Sequence, residues 1–273
     1  MASLQISRGH TCGGVLIRED YACVFVCVCV FVGAVQSGIF GGKEAKPHSR
    51  PYMVSLQVRG YHVCGGVLIR QDYVLTAAHC LEYKPDVVVL GAHNISREEK
   101  SQQRVAVSES IPHQKYRPVE EPWGHQHDIM LLKLDPPVQL TESVSVLELP
   151  KRFGYLKAGM RCEVSGWGRR MLGRGVESVL YETTVILDSN GECESKWQQY
   201  YNKDQMVCTV SDGKDGFCQG DSGGPLVCWK GKSRVLYGTT AYTDVPCDKP
   251  GYPEVYMRVP FFLPWIRSVM GDN

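Results

Sequence analysis

The chain has 273 residues, 43% of them hydrophobic, and a formal charge of +1. That supports one large domain or two small ones, and the balanced charge implies no polyanionic partner such as nucleic acid. Twelve cysteines occur without a single Cys-x-x-Cys pair, which favours disulfides and an oxidising compartment over zinc chemistry.

Residues 1–38 differ in texture from the rest and form an atypical leader. Tyr21 to Val35 is a nearly continuous apolar run, shorter than the roughly 20 residues of a membrane-spanning helix. It fits the apolar region of a secretory signal, with Val32-Gly33-Ala34 as small residues for cleavage. Twenty residues precede it, and within them Arg8 to Tyr21 nearly repeats Arg59 to Tyr73. One partial copy is not a repeat architecture; a duplicated exon or a faulty gene model accounts for it. Cys12, Cys23, Cys27 and Cys29 are therefore expected to have no role in a mature protein.

From Ile39 to the end at 273 the pattern is all-β. Short apolar alternations such as Tyr52–Val58, Val87–Leu90 and Asp128–Leu134 are separated by Gly, Pro, Asn and Asp, as in barrels and sandwiches. A helical pattern occurs only near the end, at Pro264–Met270. No linker interrupts 39–273.

The chemistry centres on Phe217 to Cys228. Ser222 stands there between Asp221 and two glycines. A serine hydroxyl is a nucleophile only when a base takes its proton, and flanking glycines let backbone N–H groups converge on one oxyanion. A glycine-rich hairpin turn is the plainer reading of such a stretch. Gly220-Asp-Ser-Gly-Gly-Pro225, however, resembles the active-site signature of chymotrypsin-like serine proteases. Leu75-Thr-Ala-Ala-His-Cys80 and Asp128-Ile-Met-Leu-Leu-Lys-Leu134 resemble that family's other two motifs, in the order His, Asp, Ser, and Cys162–Gly168 resembles its strand opening the second half.

The resemblance covers essentially all of 39–273. It implies two antiparallel β-barrels packed together, the active site between them, and a short C-terminal helix. It implies Ser222 as nucleophile, His79 as base, Asp128 as the acid that orients it, and the Gly220 and Ser222 N–H groups as oxyanion hole. It pairs Cys64 with Cys80, Cys162 with Cys228, Cys193 with Cys208, and Cys218 with Cys247. Ile39-Phe-Gly-Gly42 resembles the family's mature N-terminus, whose freed amine pairs with the acid before the serine, here Asp221. Phe40 departs from the usual small aliphatic residue. Gly38 rather than Lys or Arg precedes Ile39, so removal of a short peptide by a dipeptidyl peptidase is expected in place of tryptic self-activation.

Gly41–Met53 and Val89–Ile95 look like the granzyme, mast-cell protease and cathepsin G branch. Ala92 stands where digestive relatives carry a calcium-ligating acid, and an alanine cannot ligate Ca²⁺. Asn94-Ile-Ser96 is an N-glycosylation acceptor. His125 and His127 read as solvated loop residues or a weak metal site; no metal or other cofactor is expected. Gly216 occupies the pocket-base position that is Asp in trypsins. Glu254 falls at the back wall, directed either into the pocket or to solvent, and Thr243 stands where the family often has Gly. The expected cleavage is after aromatic residues or Leu, with some tolerance for Lys. The resemblance further implies a secreted or granule-stored monomer that meets protein substrates and serpin-type inhibitors, with no membrane span. A catalytically silent homologue acting as a binding module is the alternative.

Overall fold

The computed structural model describes residues 2–6, 10–14, 39, 41–118, 125–151, 154, 156–169, 175–213, 215–231, 233–244, 247 and 250–271. The chain divides into two compact units, Met1–Val35 and Gln36–Asn273.

The first unit contains an antiparallel pair, β1 (Ala2–Ile6) and β2 (His10–Gly14). The apolar run at 21–35 and its cleavage residues lie outside the described residues.

In the second unit, β3 (Lys43–Glu44) precedes six strands that close into a barrel. These are β4 (Met53–Val58), β5 (Tyr61–Arg70), β6 (Tyr73–Thr76), β7 (Val87–Leu90), β8 (Gln103–Pro112) and β9 (Met130–Leu134), in the order β4-β5-β6-β9-β8-β7. The leader pair repeats the geometry of one hairpin of this barrel. Ala2↔Gly14, Ser3↔Gly13 and Leu4↔Cys12 are opposed as Val54↔Gly66, Ser55↔Gly65 and Leu56↔Cys64 are in β4–β5. These three pairs are opposed alike in both places, and the likeness reaches back to Ala2; β4–β5 then shifts register between Leu56 and Gln57, whereas β1–β2 continues without a shift.

The second half contributes β10 (Arg161–Gly166), β11 (Tyr181–Ile186), α1 (Asn190–Trp197), β12 (Met206–Thr209), β13 (Pro225–Lys230), β14 (Ser233–Tyr242), β15 (Glu254–Arg258) and α2 (Val259–Met270). Its strands run β12-β15-β14-β13-β10-β11-β3. A bridge between Leu187 and Thr209 joins the end of β11 to β12, so this sheet curls on itself as a second barrel.

Three cores follow from the alternation of apolar residues. Leu56, Leu68, Val74 and Leu132 fill the first barrel; Val164, Leu226 and Tyr256 fill the second. Between them lies a third core, in which Met53, Leu75 and Leu131 meet Val227, Met257, Phe262 and Ile266. Full burial of one such side chain contributes about 1.5–3 kcal/mol, so the two barrels are firmly joined along the face that carries the site.

The terminal helix begins five residues before the pattern at Pro264 and ends at Gly271, whose φ of 74° closes it. Pro260 falls in the first turn, where its missing N–H costs nothing. Pro264 interrupts the helix interior, and burial of Phe262, Leu263 and Ile266 carries the helix through it. The sequence reading missed α1. Ser189 Oγ accepts from Glu192 N–H at 3.2 Å and caps it, and Ser189-Asn-Gly-Glu192 is the capping-box spacing that signals such a start.

Candidate active site

β6 and β9 run antiparallel with Thr76 opposite Met130. His79, three residues past Thr76 in a 3-10 turn at Ala78–Tyr83, and Asp128, two residues before Met130, therefore meet at one barrel edge. Asp128 holds His79 twice. Its Oδ1 accepts the His79 backbone N–H at 2.8 Å, and its Oδ2 lies 2.7 Å from His79 Nδ1. A carboxylate only accepts, so Nδ1 carries the proton and Nε2 keeps its lone pair. Burial alone would lower the His79 pKa, but the Asp128 charge and hydrogen bond, with Glu82 beyond, outweigh it and raise the pKa above the usual histidine value.

Ser222 lies in the turn leading into β13. Gly65 N–H donates to its carbonyl at 2.8 Å, and Cys80 Sγ, next to His79, lies 3.8 Å from the same oxygen. The turn requires glycine. At Gly223, with φ +79°, a Cβ would sit 2.1 Å from Thr76 Oγ1 and 2.7 Å from the Gly65 carbonyl. Among the described residues Ser222 Oγ makes no hydrogen bond, to His79 Nε2 included; such contacts often tighten only once substrate is bound. The N–H groups of Gly220 and Ser222 also have no acceptor among the described residues. The Gly220 carbonyl lies 2.9 Å from His62 Nε2.

Asp221 is fully buried. Its carboxylate accepts from the N–H groups of Gly168 at 2.8 Å and Cys218 at 3.0 Å and meets no cation among the described residues. Burial pushes its pKa up to about 7, against the pull of those two bonds. Ile39 is also wholly buried, in the second-barrel core with Val164 and Phe217.

Among the described residues there are four disulfides, Cys64–Cys80, Cys162–Cys228, Cys193–Cys208 and Cys218–Cys247, the pairs the family resemblance implies. The first ties the His79 turn to β5; the last borders the cleft beside Ser222. That cleft, about 160 Å³, is lined by Cys218, Ser222, Ala241, Tyr242, Thr243 and Cys247 among others. Glu254 does not face solvent, being 4% exposed. Its carboxylate is packed against Gly216 and accepts from Phe217 N–H at 2.8 Å, Tyr256 OH at 2.9 Å and Thr209 Oγ1 at 3.3 Å. Burial pushes its pKa up to about 8.

His125 and His127 are half-buried, and among the described residues they join no group of three metal-ligating side chains. The His125 ring packs on Tyr242 at 4.5 Å and Tyr200 at 5.5 Å, and His127 stacks on His113 at 4.9 Å. Tyr200 and His125 thus adjoin the cleft through Tyr242, which no motif announced. Donor atoms of Cys64, His79 and Cys80 converge, but the two sulfurs are bonded to each other and are not free to ligate. In the loop after Ala92, the Glu99 carboxylate is engaged by the N–H groups of His93 at 2.7 Å and Asn94 at 3.1 Å, so the loop is clamped by its own amides. Asn94 is half-buried, and its Oδ1 accepts from Ser96 N–H at 2.9 Å. No described helix is long and apolar enough to cross a membrane.

Residues 39–266 match the trypsin family. Granzyme B(G,H) of Mus musculus is 41% identical over 240 residues, covering 86% of this chain and 92% of its own. Duodenase-1 of Bos taurus is 40% identical over 235 residues, covering 85% and 89%. Among solved structures, neuropsin, a serine protease expressed in the limbic system of mouse brain, superposes with a TM-score of 0.77 at 35% identity, covering 85% of this chain and all of its own. The chain belongs to the trypsin family of serine proteases.

Proposed function

We propose that residues 39–273 form an endopeptidase that cleaves peptide bonds through Ser222, His79 and Asp128. Ser222 Oγ attacks the scissile carbonyl while His79 Nε2 takes its proton. The tetrahedral oxyanion is received by the Gly220 and Ser222 N–H groups, each such donor being worth on the order of 3 kcal/mol of barrier. The imidazolium, steadied by Asp128, then protonates the leaving amine, and water releases the acyl-enzyme by the same steps in reverse. The observation that carries this reading is the double grip of Asp128 on His79, with the Ser222 turn against the neighbouring Cys80.

Activation follows from the chemistry of Asp221. A buried carboxylate with two N–H partners and no cation is costly to ionise. Removal of residues 1–38 frees an α-amine at Ile39, already within the second barrel, to supply that cation and order the turn.

Glu254 governs the pocket. Largely neutral at pH 7, it leaves a floor suited to aromatic residues or Leu, and it gains attraction for Lys as it ionises. The chain's relatives include granzymes, cathepsin G and mast cell proteases, which supports secretion or granule storage; the Asn94-Ile-Ser96 acceptor supports glycosylation at Asn94, and the family resemblance implies action as a monomer under control by serpin-type inhibitors.

Labelling with a fluorescent fluorophosphonate tests the reading. Protein beginning at Ile39 is expected to label and its Ser222→Ala variant is not. A folded, disulfide-bonded parent that stays unlabelled would refute it.

A further inference from the structure

The residue before Asp128 is held in a conformation it would not choose alone. His127 has a φ of 56°, in the left-handed region that residues with a side chain rarely enter. Its carbonyl accepts from Ile129 N–H at 2.7 Å, which closes a three-residue turn with Asp128 at the centre. The Ile129 carbonyl accepts in turn from His113 N–H at 3.0 Å. The aim of the Asp128 carboxylate, and with it both bonds to His79, therefore depends on the backbone angles of His127.

Two further contacts hold His127. Its ring stacks on His113 at 4.9 Å, with 19° between the planes, and meets Phe262 of α2 edge-on at 6.1 Å. Burial, His127 and Lys115 push the His113 pKa down to about 4, and burial and Lys115 lower that of His127, so both rings stack uncharged at neutral pH. The His127 N–H donates to Gln205 Oε1 at 2.7 Å. Gln205 comes from the second barrel, one residue before β12, and is 2% exposed. Its amide has one orientation. A backbone N–H only donates, so the Gln205 oxygen must face His127, and Nε2 is left to donate to Gln126 Oε1 at 3.0 Å. The Gln205 backbone is fixed as well: its N–H donates to the Asn202 carbonyl at 3.2 Å, and its carbonyl accepts from Arg258 N–H at 2.8 Å. A rigid side chain of one barrel thus clasps the peptide that sets the turn in the other.

We propose that Gln205 is a positioning residue for the reaction, acting through the His127 peptide to keep Asp128 in line with His79, with the His113–His127 stack as a second support. The inference rests on the proposed roles of Asp128 and His79. Without the clasp the His127 N–H is stranded and the backbone relaxes toward negative φ, which swings the Asp128 carboxylate off Nδ1. His79 then loses both its fixed tautomer and the charge that raises its pKa. Gln205 does not line the cleft beside Ser222, so the loss falls on proton transfer: kcat drops and KM stays nearly unchanged.

The test uses the chain from Ile39 onward, an anilide peptide substrate, and fluorophosphonate titration to count competent sites. Gln205→Met keeps the length of the side chain and removes both of its polar ends. The expected result is a kcat per labelled site about threefold to thirtyfold lower, KM within about twofold, and a midpoint in the pH profile of kcat/KM moved to lower pH. Where Gln205→Met does not fold, Gln205→Asn takes its place: one methylene shorter, its oxygen no longer reaches the His127 N–H, and the same shift is expected. Adding His127→Asn to either variant is expected to recover part of kcat, because asparagine enters the left-handed region more readily. A purely structural role for Gln205 would lower the melting temperature and the number of labelled sites and leave the midpoint in place; an unmoved midpoint overturns the proposal while the catalytic reading stands. If His127→Asn recovers nothing, the effect does not pass through the His127 backbone and the proposal fails. A parent that does not label at Ser222 removes the catalytic reading and the clasp together.

Discussion

Replacing Gly216 by Ala measures how firmly Glu254 is seated. Gly216 has no positive φ, so alanine suits its backbone and the penalty is purely one of contact. The new Cβ would lie 1.6 Å from Glu254 Oε1, 2.3 Å from Cδ and 2.6 Å from Oε2. No small adjustment relieves that, so the carboxyl must leave its seat. Leaving it breaks the bonds from Phe217 N–H and Tyr256 OH, at about 1 kcal/mol each, and strands a buried N–H at about 1–3 kcal/mol more. The total is about 3–5 kcal/mol. For a domain of this size that lowers the melting temperature by about 10 °C. Glu254→Ala removes the obstacle, so the double variant is expected to be less destabilised than the sum of the singles by about 2–3 kcal/mol. Thermal and urea unfolding of the four proteins of the cycle, each starting at Ile39, supplies the numbers. A cost below about 1 kcal/mol for Gly216→Ala, or additivity within about 0.5 kcal/mol, would refute the packing argument.

Two predictions concern pH. His79 must be neutral to accept a proton, and its pKa is raised, so kcat/KM should climb with pH through a midpoint above the ordinary value of about 6.5; a midpoint at or below that value contradicts the Asp128 coupling. Glu254, with its pKa pushed up to about 8, is neutral below that pH and charged above it. The ratio of cleavage after Lys to cleavage after Phe is therefore expected to rise as pH passes about 8, and to stay flat in Glu254→Gln; a parent ratio that does not change with pH dismisses Glu254 as a selectivity group.

Much of the candidate site was legible because the chemistry proposed for it needs rare local sequences. Ser222 must sit among glycines: Gly223 lies against Thr76 and the Gly65 carbonyl and has no room for a side chain. His79 and Asp128 are each next to an apolar strand, and the antiparallel pairing of those strands brings the two together. The direction of Glu254 was not legible. It depends on Thr209, Phe217 and Tyr256, which come from three separate stretches. Nor were the surroundings of His62 and His125, because a histidine's neighbours are set by tertiary packing and leave no periodic trace. The helix α1 escaped because most of its side chains face solvent and only Cys193 is buried, so the apolar periodicity on which such readings rest is missing. In the leader the copied hairpin was legible from the start as well as from Arg8 onward, because Met1-Ala-Ser-Leu-Gln-Ile6 nearly repeats Met53-Val-Ser-Leu-Gln-Val58, one residue out of step with the Arg8 likeness.

The two ends of the peptidase unit are latched crosswise. β3, which precedes the first barrel, is paired with β11 of the second. The helix α2, which follows the second barrel, has its Val269 and Met270 carbonyls bonded by Tyr73 and Arg70 of the first. Neither lobe owns all of its own surface, and each is fastened by a tail belonging to its partner. Loosening one lobe therefore releases a strap from the other, which makes unfolding a single cooperative event and gives the cleft between them walls that cannot drift apart independently. His79 and Asp128 on the first lobe and Ser222 on the second gain from this a lasting alignment that no single contact across the cleft would provide.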